Sequence, residues 1–427
     1  MRSEMSNLST KAPTSNCYQT DVDFSRSGLR LAFINTHPIQ YFAPMYAYFQ
    51  HNCEMSVTAL YLSDFSLRNG LDKGFNQAVT WDLDLLAGYE ARFIGRVRNR
   101  RIGGFFSVTG TGLWSVIRSG RYDAVVIHGH NLAAHHVALA ACKTSGTPAF
   151  ARSETHLRLS RPPWKEAVRR PLISWLYTTF DGFLAIGSAN ARYYRSLGVP
   201  SEKIFSMPYA VDNARFTTAS RISPTKRAGL RAQLGVTNDA PIILYAGKFD
   251  RRKRPNDLLE AFAKLQRDNV DANLVLVGSG VLEPELRSAV ERNLIRNVSF
   301  PGFINQTNLP MVYAACDVFV LPSDNEPWGL AVNEAMCCGM PVVVSEEIGC
   351  AEDLVDPGIN GARFAAGDVN GLAAALVPFL RDPNLRARSG AFSRARIETW
   401  GYAECARGLR AAVIAARVRR GLKNETA

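Results

Sequence analysis

The chain has 427 residues, 47% of them hydrophobic, and a formal net charge of +12. That length exceeds what one hydrophobic core usually serves and the apolar content can fill two, so two domains are expected. No run approaches the roughly 18 uninterrupted apolar residues of a bilayer span, which excludes a membrane-crossing helix. The eight cysteines show no C-x-x-C pair and no His-rich metal spacing; they read as small buried thiols in a reducing cytoplasm.

Residues 1–27 are polar and lack the apolar core of a signal peptide, so they read as a disordered leader. From there apolar strands alternate with helical stretches. They begin at Leu29-Arg-Leu-Ala-Phe-Ile-Asn35 and continue at Met55 to Leu62, Asp123 to His128, Thr147 to Arg152 and Asp181 to Gly187. A polar, charged stretch at 219–240 reads as a linker. The rhythm then repeats at Ile242 to Ala246, Ala272 to Gly278, Asn297 to Phe300, Asp317 to Pro322 and Pro341 to Ser345. Such alternation predicts an α/β protein of parallel sheets. The expected domains are 28–218 and 241–400, followed by a helical tail at 401–427.

Charge is concentrated in the first half, where 14 Lys and Arg face four acids between Glu90 and Leu172, an excess of ten. An anionic membrane surface, a lipid-pyrophosphate acceptor and nucleic acid are the candidate partners for such a face. Within it, Trp164-Lys-Glu-Ala-Val-Arg-Arg-Pro-Leu-Ile-Ser-Trp-Leu-Tyr177 mixes cations with Trp, Leu and Ile. It reads equally as an interfacial helix or as a helix packed on the sheet, with Pro171 expected to interrupt a single long face.

The most informative segment is Glu326-Pro-Trp-Gly-Leu-Ala-Val-Asn-Glu334, which follows the apolar run Asp317-Val-Phe-Val-Leu-Pro322. A strand passing into a helix places this loop at the carboxyl end of a parallel sheet, where ligands bind and the helix offers unpaired N–H groups. Glu334 lies about five residues into that helix, roughly 7 Å along its axis. The two carboxylates therefore serve different parts of a ligand. The strand Ile242 to Ala246 delivers Gly247-Lys-Phe-Asp-Arg-Arg-Lys253, a cationic loop suited to a diphosphate.

Taken with Ala246-Gly-Lys-Phe-Asp-Arg-Arg-Lys-Arg-Pro255, Gly278-Ser-Gly280, Pro301-Gly-Phe303 and Gly339-Met-Pro-Val-Val-Val-Ser345, this segment resembles retaining glycosyltransferase family 4, the group 1 glycosyl transferases. The resemblance implies the GT-B fold: two Rossmann-like domains facing across a cleft, with a C-terminal helix crossing back to the first. It implies sugar transfer from a nucleotide-sugar donor to a hydroxyl on a glycan or lipid-linked acceptor, in surface glycan or glycolipid synthesis. The expected catalytic residues are Glu326, His128, Lys248 and Lys253. Glu334 is expected on the ribose, while Trp328, Gly329, Leu330 and Gly247 lie by phosphate or sugar and Gly302 and Phe303 frame the base. On the acceptor side stand His37, Gln40, Tyr41, Arg152 and Glu154, with His130 competing with His128 for the cleft.

Lys248 stands where the family commonly has Arg, and the first strand opens into Asn35-Thr-His-Pro-Ile-Gln-Tyr41 where a glycine-rich turn is usual. No Asp-x-Asp run is read as the metal-dependent kind, so no metal and no other cofactor are expected. The protein is expected in the cytoplasm, with the inner face of the membrane as a candidate station and no nucleic acid as partner. Two other readings remain at this level: a catalytically idle scaffold that binds membrane or nucleic acid, and a nucleotide-sugar epimerase.

Overall fold

The structure is a computed structural model that describes residues 28–68, 71–72, 77–78, 80–97, 104–108, 110–159 and 163–421. The expected leader 1–27 lies outside the described residues. Two parallel sheets organise the chain. The first has seven strands in the order Glu90–Val97, Met55–Ser63, Leu29–Asn35, Ala124–His128, Ala149–Arg152, Gly182–Ala185 and Ile204–Ser206. The second has six, in the order Val298–Gly302, Asn273–Val277, Ile242–Ala246, Val318–Leu321, Val342–Ser345 and Gly361–Phe364.

The central strands are buried along most or all of their length, as continuous apolar runs covered by helices on both faces must be. In each sheet the strand order reverses beside the first strand in sequence. Asn35 and His128 therefore end neighbouring strands at one switch point, and Ala246 and Leu321 do so at the other. Loops leaving such points are where an open α/β sheet binds ligands.

The edge strands Glu90–Val97, Ile204–Ser206 and Gly361–Phe364 carry charged or few apolar residues, which is why periodicity does not reveal them. The stretch expected as a linker is not extended. It holds the helix Pro224–Gln233, capped by Ser223, whose Arg227 and Arg231 donate to Asp317 at the foot of the second sheet (2.8 and 3.1 Å). The helix Pro163–Thr178 runs through Pro171 without a break, contrary to the expected interruption.

The C-terminal helix Tyr402–Arg419 returns to the first domain. Its Arg410 donates to the Cys53 carbonyl, Arg417 pairs with Asp123, and Arg420, just past its end, pairs with Asp181. The domains also meet directly across the cleft. Arg192 pairs with Glu352 (2.6 Å), Ser188 binds Asp353, and Asn333 donates to the Tyr209 carbonyl (2.9 Å). Gly187 permits the closest approach, because a Cβ there would lie 2.3 Å from the Trp328 ring.

Asp317 ties the interdomain stretch to the second sheet, accepting from Arg227, from the largely buried Arg231 and from the Ile242 N–H. Asp317→Ala strands two guanidinium groups, and charge-assisted hydrogen bonds of this kind contribute about 2 kcal/mol. Urea denaturation of the variant should show a loss of that order; an unchanged midpoint would mean the cluster is ornamental.

Candidate active site between the two sheets

A cavity of about 390 Å³ opens where the switch points of the two sheets face each other. Lys248 and Lys253 reach it from the loop after Ile242–Ala246. Glu326 comes from the loop after Val318–Leu321, and Glu334 from the helix Leu330–Cys337. Gly247, Trp328, Gly329, Leu330 and Phe303 line the same space, as do His37, Gln40 and Tyr41 from the first domain. The volume lies within the range of small-molecule sites.

Lys253 Nζ lies 2.6 Å from Glu326 Oε2, with both side chains about four-fifths buried. The lysine is set by a short turn that Asp250 caps, its carboxylate accepting from the N–H groups of Arg252 and Lys253 (3.0 and 3.1 Å). Glu326 is set by its own carbonyl, which accepts from Gly349 N–H and from His156 of the first domain (2.9 Å). Gly329 adopts φ +98° at the helix start, a region that favours glycine, and a Cβ there would lie 2.9 Å from Ile348.

Glu334 is 2% exposed. Its Oε2 accepts from the Tyr313 hydroxyl (2.8 Å), while Oε1 has no hydrogen-bond partner. Burial raises its pKa to about 7, against the opposing pull of Tyr313, Arg215 and Tyr41. A buried carboxylate oxygen without a donor, in a cavity wall, is an acceptor site for a ligand hydroxyl.

Several expected positions fall elsewhere. His128 and His130 line a second cavity of about 530 Å³, not the first, together with Asn35, Arg152, Glu154 and Arg169. Ile39 and Glu154 border both cavities. Partial burial and the Arg152 charge hold His128 well below the usual histidine range. The Arg152 guanidinium is committed to the carbonyls of Met207 and Pro208 (2.8 and 3.2 Å), so it braces the first domain. Glu154 accepts from Tyr209, not from Arg152 (2.7 Å).

Gly302 is absent from the cavity wall; its carbonyl accepts from Gly278 N–H. Gly278 lines the main cavity, and both Gly278 and Gly280 sit where two backbone segments touch. A Cβ at Gly278 would lie 1.9 Å from the Gly247 carbonyl oxygen, and one at Gly280 2.5 Å from that of Phe249. The Trp328 indole donates to Asn333 (3.0 Å) and its ring stacks on Trp400, so this side chain cements the domain contact.

Asp82-Leu-Asp84 does have Asp-x-Asp spacing. Asp82, however, accepts from Thr307 N–H across the cleft and Asp84 from Leu86 N–H. Asp21-Val-Asp23 lies outside the described residues. Among the described residues no group of three His, Cys, Asp or Glu is arranged to hold a metal ion. Sequence reading missed Trp81, Gln306 and Tyr313 in the main cavity. They come from a coil segment, a turn and a helix face with no motif to mark them, although Tyr313 could have been sought as a partner for any buried Glu334.

Two Rossmann-like domains with a charged cavity at their facing switch points define the GT-B class of nucleotide-dependent folds. The family description "Glycosyl transferases group 1" matches residues 226–396, and "Glycosyl transferase 4-like domain" matches residues 81–210. The chain is 30% identical over 233 residues to a GDP-mannose-dependent monoacylated alpha-(1-6)-phosphatidylinositol monomannoside mannosyltransferase of Corynebacterium glutamicum, covering 53% of this chain and 60% of that one. It is 29% identical over 306 residues to a D-inositol 3-phosphate glycosyltransferase of Streptomyces avermitilis, covering 68% and 64%. A third relative, the D-inositol 3-phosphate glycosyltransferase of Xylanimonas cellulosilytica, is 32% identical over 217 residues, covering 50% and 51%. These matches span between about half and two thirds of the relatives' length. Among solved structures, Anabaena HepE in complex with UDP and glucose superposes with a TM-score of 0.66 at 19% identity, over 90% of this chain and 98% of that one. Residues 81–210 and 226–396, most of both domains, thus match the group 1 glycosyltransferases of the family 4 type, and the fold is GT-B.

The raised pKa of Glu334 has a signed consequence. A carboxyl held near 7 in the fold and near 4.5 outside it keeps its proton better when folded, so stability falls as pH rises through that window and is level above it. Over the whole window this amounts to about 3 kcal/mol. Glu334→Gln should remove that part of the pH slope in urea denaturation at pH 4.5 and 8. A variant with the wild-type slope would show that Glu334 ionises normally.

Proposed function

We propose that the protein is a retaining glycosyltransferase that moves a hexosyl group from a nucleotide-sugar donor to a hydroxyl acceptor in surface glycan or glycolipid synthesis. The observation that carries this reading is the convergence of Lys248, Lys253, Glu326 and Glu334 on one cavity between the two sheets. In it, the lysines neutralise the diphosphate as it leaves, the kind of electrostatic stabilisation that is often the largest catalytic effect. Glu334 accepts from ribose hydroxyls through its unpartnered oxygen, and Glu326 anchors the donor sugar.

The Lys253–Glu326 pair gives the donor a defined entry. A diphosphate beside Lys253 competes for the ammonium group, and the carboxylate then turns its lone pairs to sugar hydroxyls. In front-face transfer the bond from the anomeric carbon to the phosphate oxygen breaks while the acceptor oxygen bonds on the same side. The acceptor proton passes to the departing phosphate. Cationic side chains supply the neutralisation, so this reading requires no metal and predicts activity that survives EDTA. His128, from the adjoining cavity, orients the acceptor. The work is placed at the cytoplasmic face of the membrane, in keeping with the seven free cysteines among the described residues. No helix among them is long and apolar enough to cross a membrane.

Thermal-shift titration with UDP-, GDP- and ADP-sugars tests the donor half, since a ligand specific to the native state raises its stability by mass action. One nucleotide-sugar series should stabilise the protein, and Lys253→Ala should lower kcat for transfer by about 10²–10³-fold. Product analysis separates this from an epimerase, which releases altered donor without glycosylated acceptor. Full transfer activity in both Lys253→Ala and Glu326→Ala would overturn the roles given to this pair, and the absence of any transfer or donor-induced shift would leave the idle scaffold.

A further inference from the structure

The helix Pro163–Thr178 carries an apolar stripe that no other described residue covers. Trp164, Val168, Leu172 and Trp175 are 68, 64, 63 and 70% exposed. Their spacing of i, i+4, i+8 and i+11 gathers them within about 80° of arc on one side of the helix. The opposite side is already used, with Ile173 and Tyr177 buried in the first domain's core. Of 15 exposed large apolar side chains among the described residues, nine lie between Phe93 and Trp175, so the feature belongs to one part of the molecule.

Phe105 and Phe106, 44 and 80% exposed, extend it. The Phe105 ring lies 5.3 Å from that of His136, which meets the His130 carbonyl; His130 in turn packs edge-on against Tyr177 of the helix.

Charge identifies the occupant. The helix carries Lys165, Arg169 and Arg170 against Glu166, a surplus of two, within the segment whose surplus is ten. Lys165 Nζ sits 5.3 Å from the Trp164 ring. Exposed tryptophans on a surface helix of net positive charge match the boundary of an anionic bilayer, where indoles settle at head-group depth and ammonium groups meet phosphates. A protein partner would be expected to meet fewer like charges around its apolar contact.

The helix also touches the chemistry. Arg169, held by the Tyr193 hydroxyl (3.2 Å), lines the second cavity with His128, His130 and Glu154. One element therefore presents tryptophans outward and a guanidinium to the acceptor-side space. We propose that this helix, with Phe105 and Phe106, seats the first domain on an anionic lipid bilayer, and that the acceptor is a phosphate-bearing lipid whose head group enters the His128–Arg169 cavity from that surface. This rests on the transferase reading above and names its acceptor class.

The test uses the full chain and vesicles of phosphatidylcholine with or without phosphatidylglycerol, in co-sedimentation. Binding to the anionic vesicles should exceed binding to pure phosphatidylcholine by at least about tenfold. The variant W164S/L172S/W175S should lose that binding with its melting temperature and donor-induced thermal shift unchanged, and K165E/R170E should lose it on anionic vesicles by a similar factor. Equal binding by wild type and the triple variant, or none by either, overturns the docking surface. So does a wild-type dimer in vesicle-free buffer that the triple variant converts to monomer.

For the acceptor, label from the donor should enter the butanol-extractable fraction of native membranes. R169A should lower that transfer at least about tenfold while vesicle binding and the donor-induced shift persist. Label recovered only in water-soluble product overturns the lipid acceptor. Vesicle binding without any nucleotide-sugar shift would count against the transferase reading and leave the docking surface standing.

Discussion

The ion pair between Lys253 and Glu326 joins the two loops that leave the central strands of the second sheet, and the rest of the site is arranged around it. At 2.6 Å and mostly out of water, the pair keeps a cation and a carboxylate at fixed places on one wall. Neither side chain reaches that place through chain sequence alone. The lysine is delivered by the Asp250-capped turn, and the glutamate by a loop pinned to Gly349 and, across the cleft, to His156. A diphosphate is the natural competitor for such a lysine, because it offers more charge than one carboxylate at comparable distance.

Glu334 complements that pair from deeper in the wall. Its helix starts at a left-handed glycine, its side chain is buried, and Tyr313 donates to one of its oxygens. The desolvation that raises its pKa also makes its unpartnered oxygen costly to leave unpaired, which gives a ligand hydroxyl its affinity and register. The two acids therefore differ in kind: one is neutralised by a cation and ready to exchange it, the other is held by burial in a mixture of protonated and ionised forms near neutral pH.

Much of this was legible in the sequence because parallel strands buried on both faces read as continuous apolar runs, and because cations and acids at strand ends have few structural uses. The alternation of Leu29 to Asn35 with later runs gave the two sheets, and the loops 247–253 and 326–334 gave the residues that meet in one cavity. What stayed hidden depended on long-range packing. Edge strands such as Ile204–Ser206 are too short to show a period. That Gly278 and Gly280 are required where two backbones touch depends on loops far apart in sequence. Arg152 looked like a cleft cation, yet two carbonyls more than fifty residues away consume its donors. Whether His128 or His130 faced the main cavity was undecidable from spacing, and the fold places both in the neighbouring one.

The central claim is that the lysines receive a nucleotide diphosphate while the two acids hold its ends. A crystal structure with whichever nucleotide-sugar stabilises the protein tests it most directly. The account predicts the diphosphate within hydrogen-bonding distance of Lys248 and Lys253, ribose hydroxyls on Glu334 Oε1, and Glu326 released from Lys253 to the sugar. A nucleotide bound outside this cavity, with the Lys253–Glu326 contact intact, would contradict it.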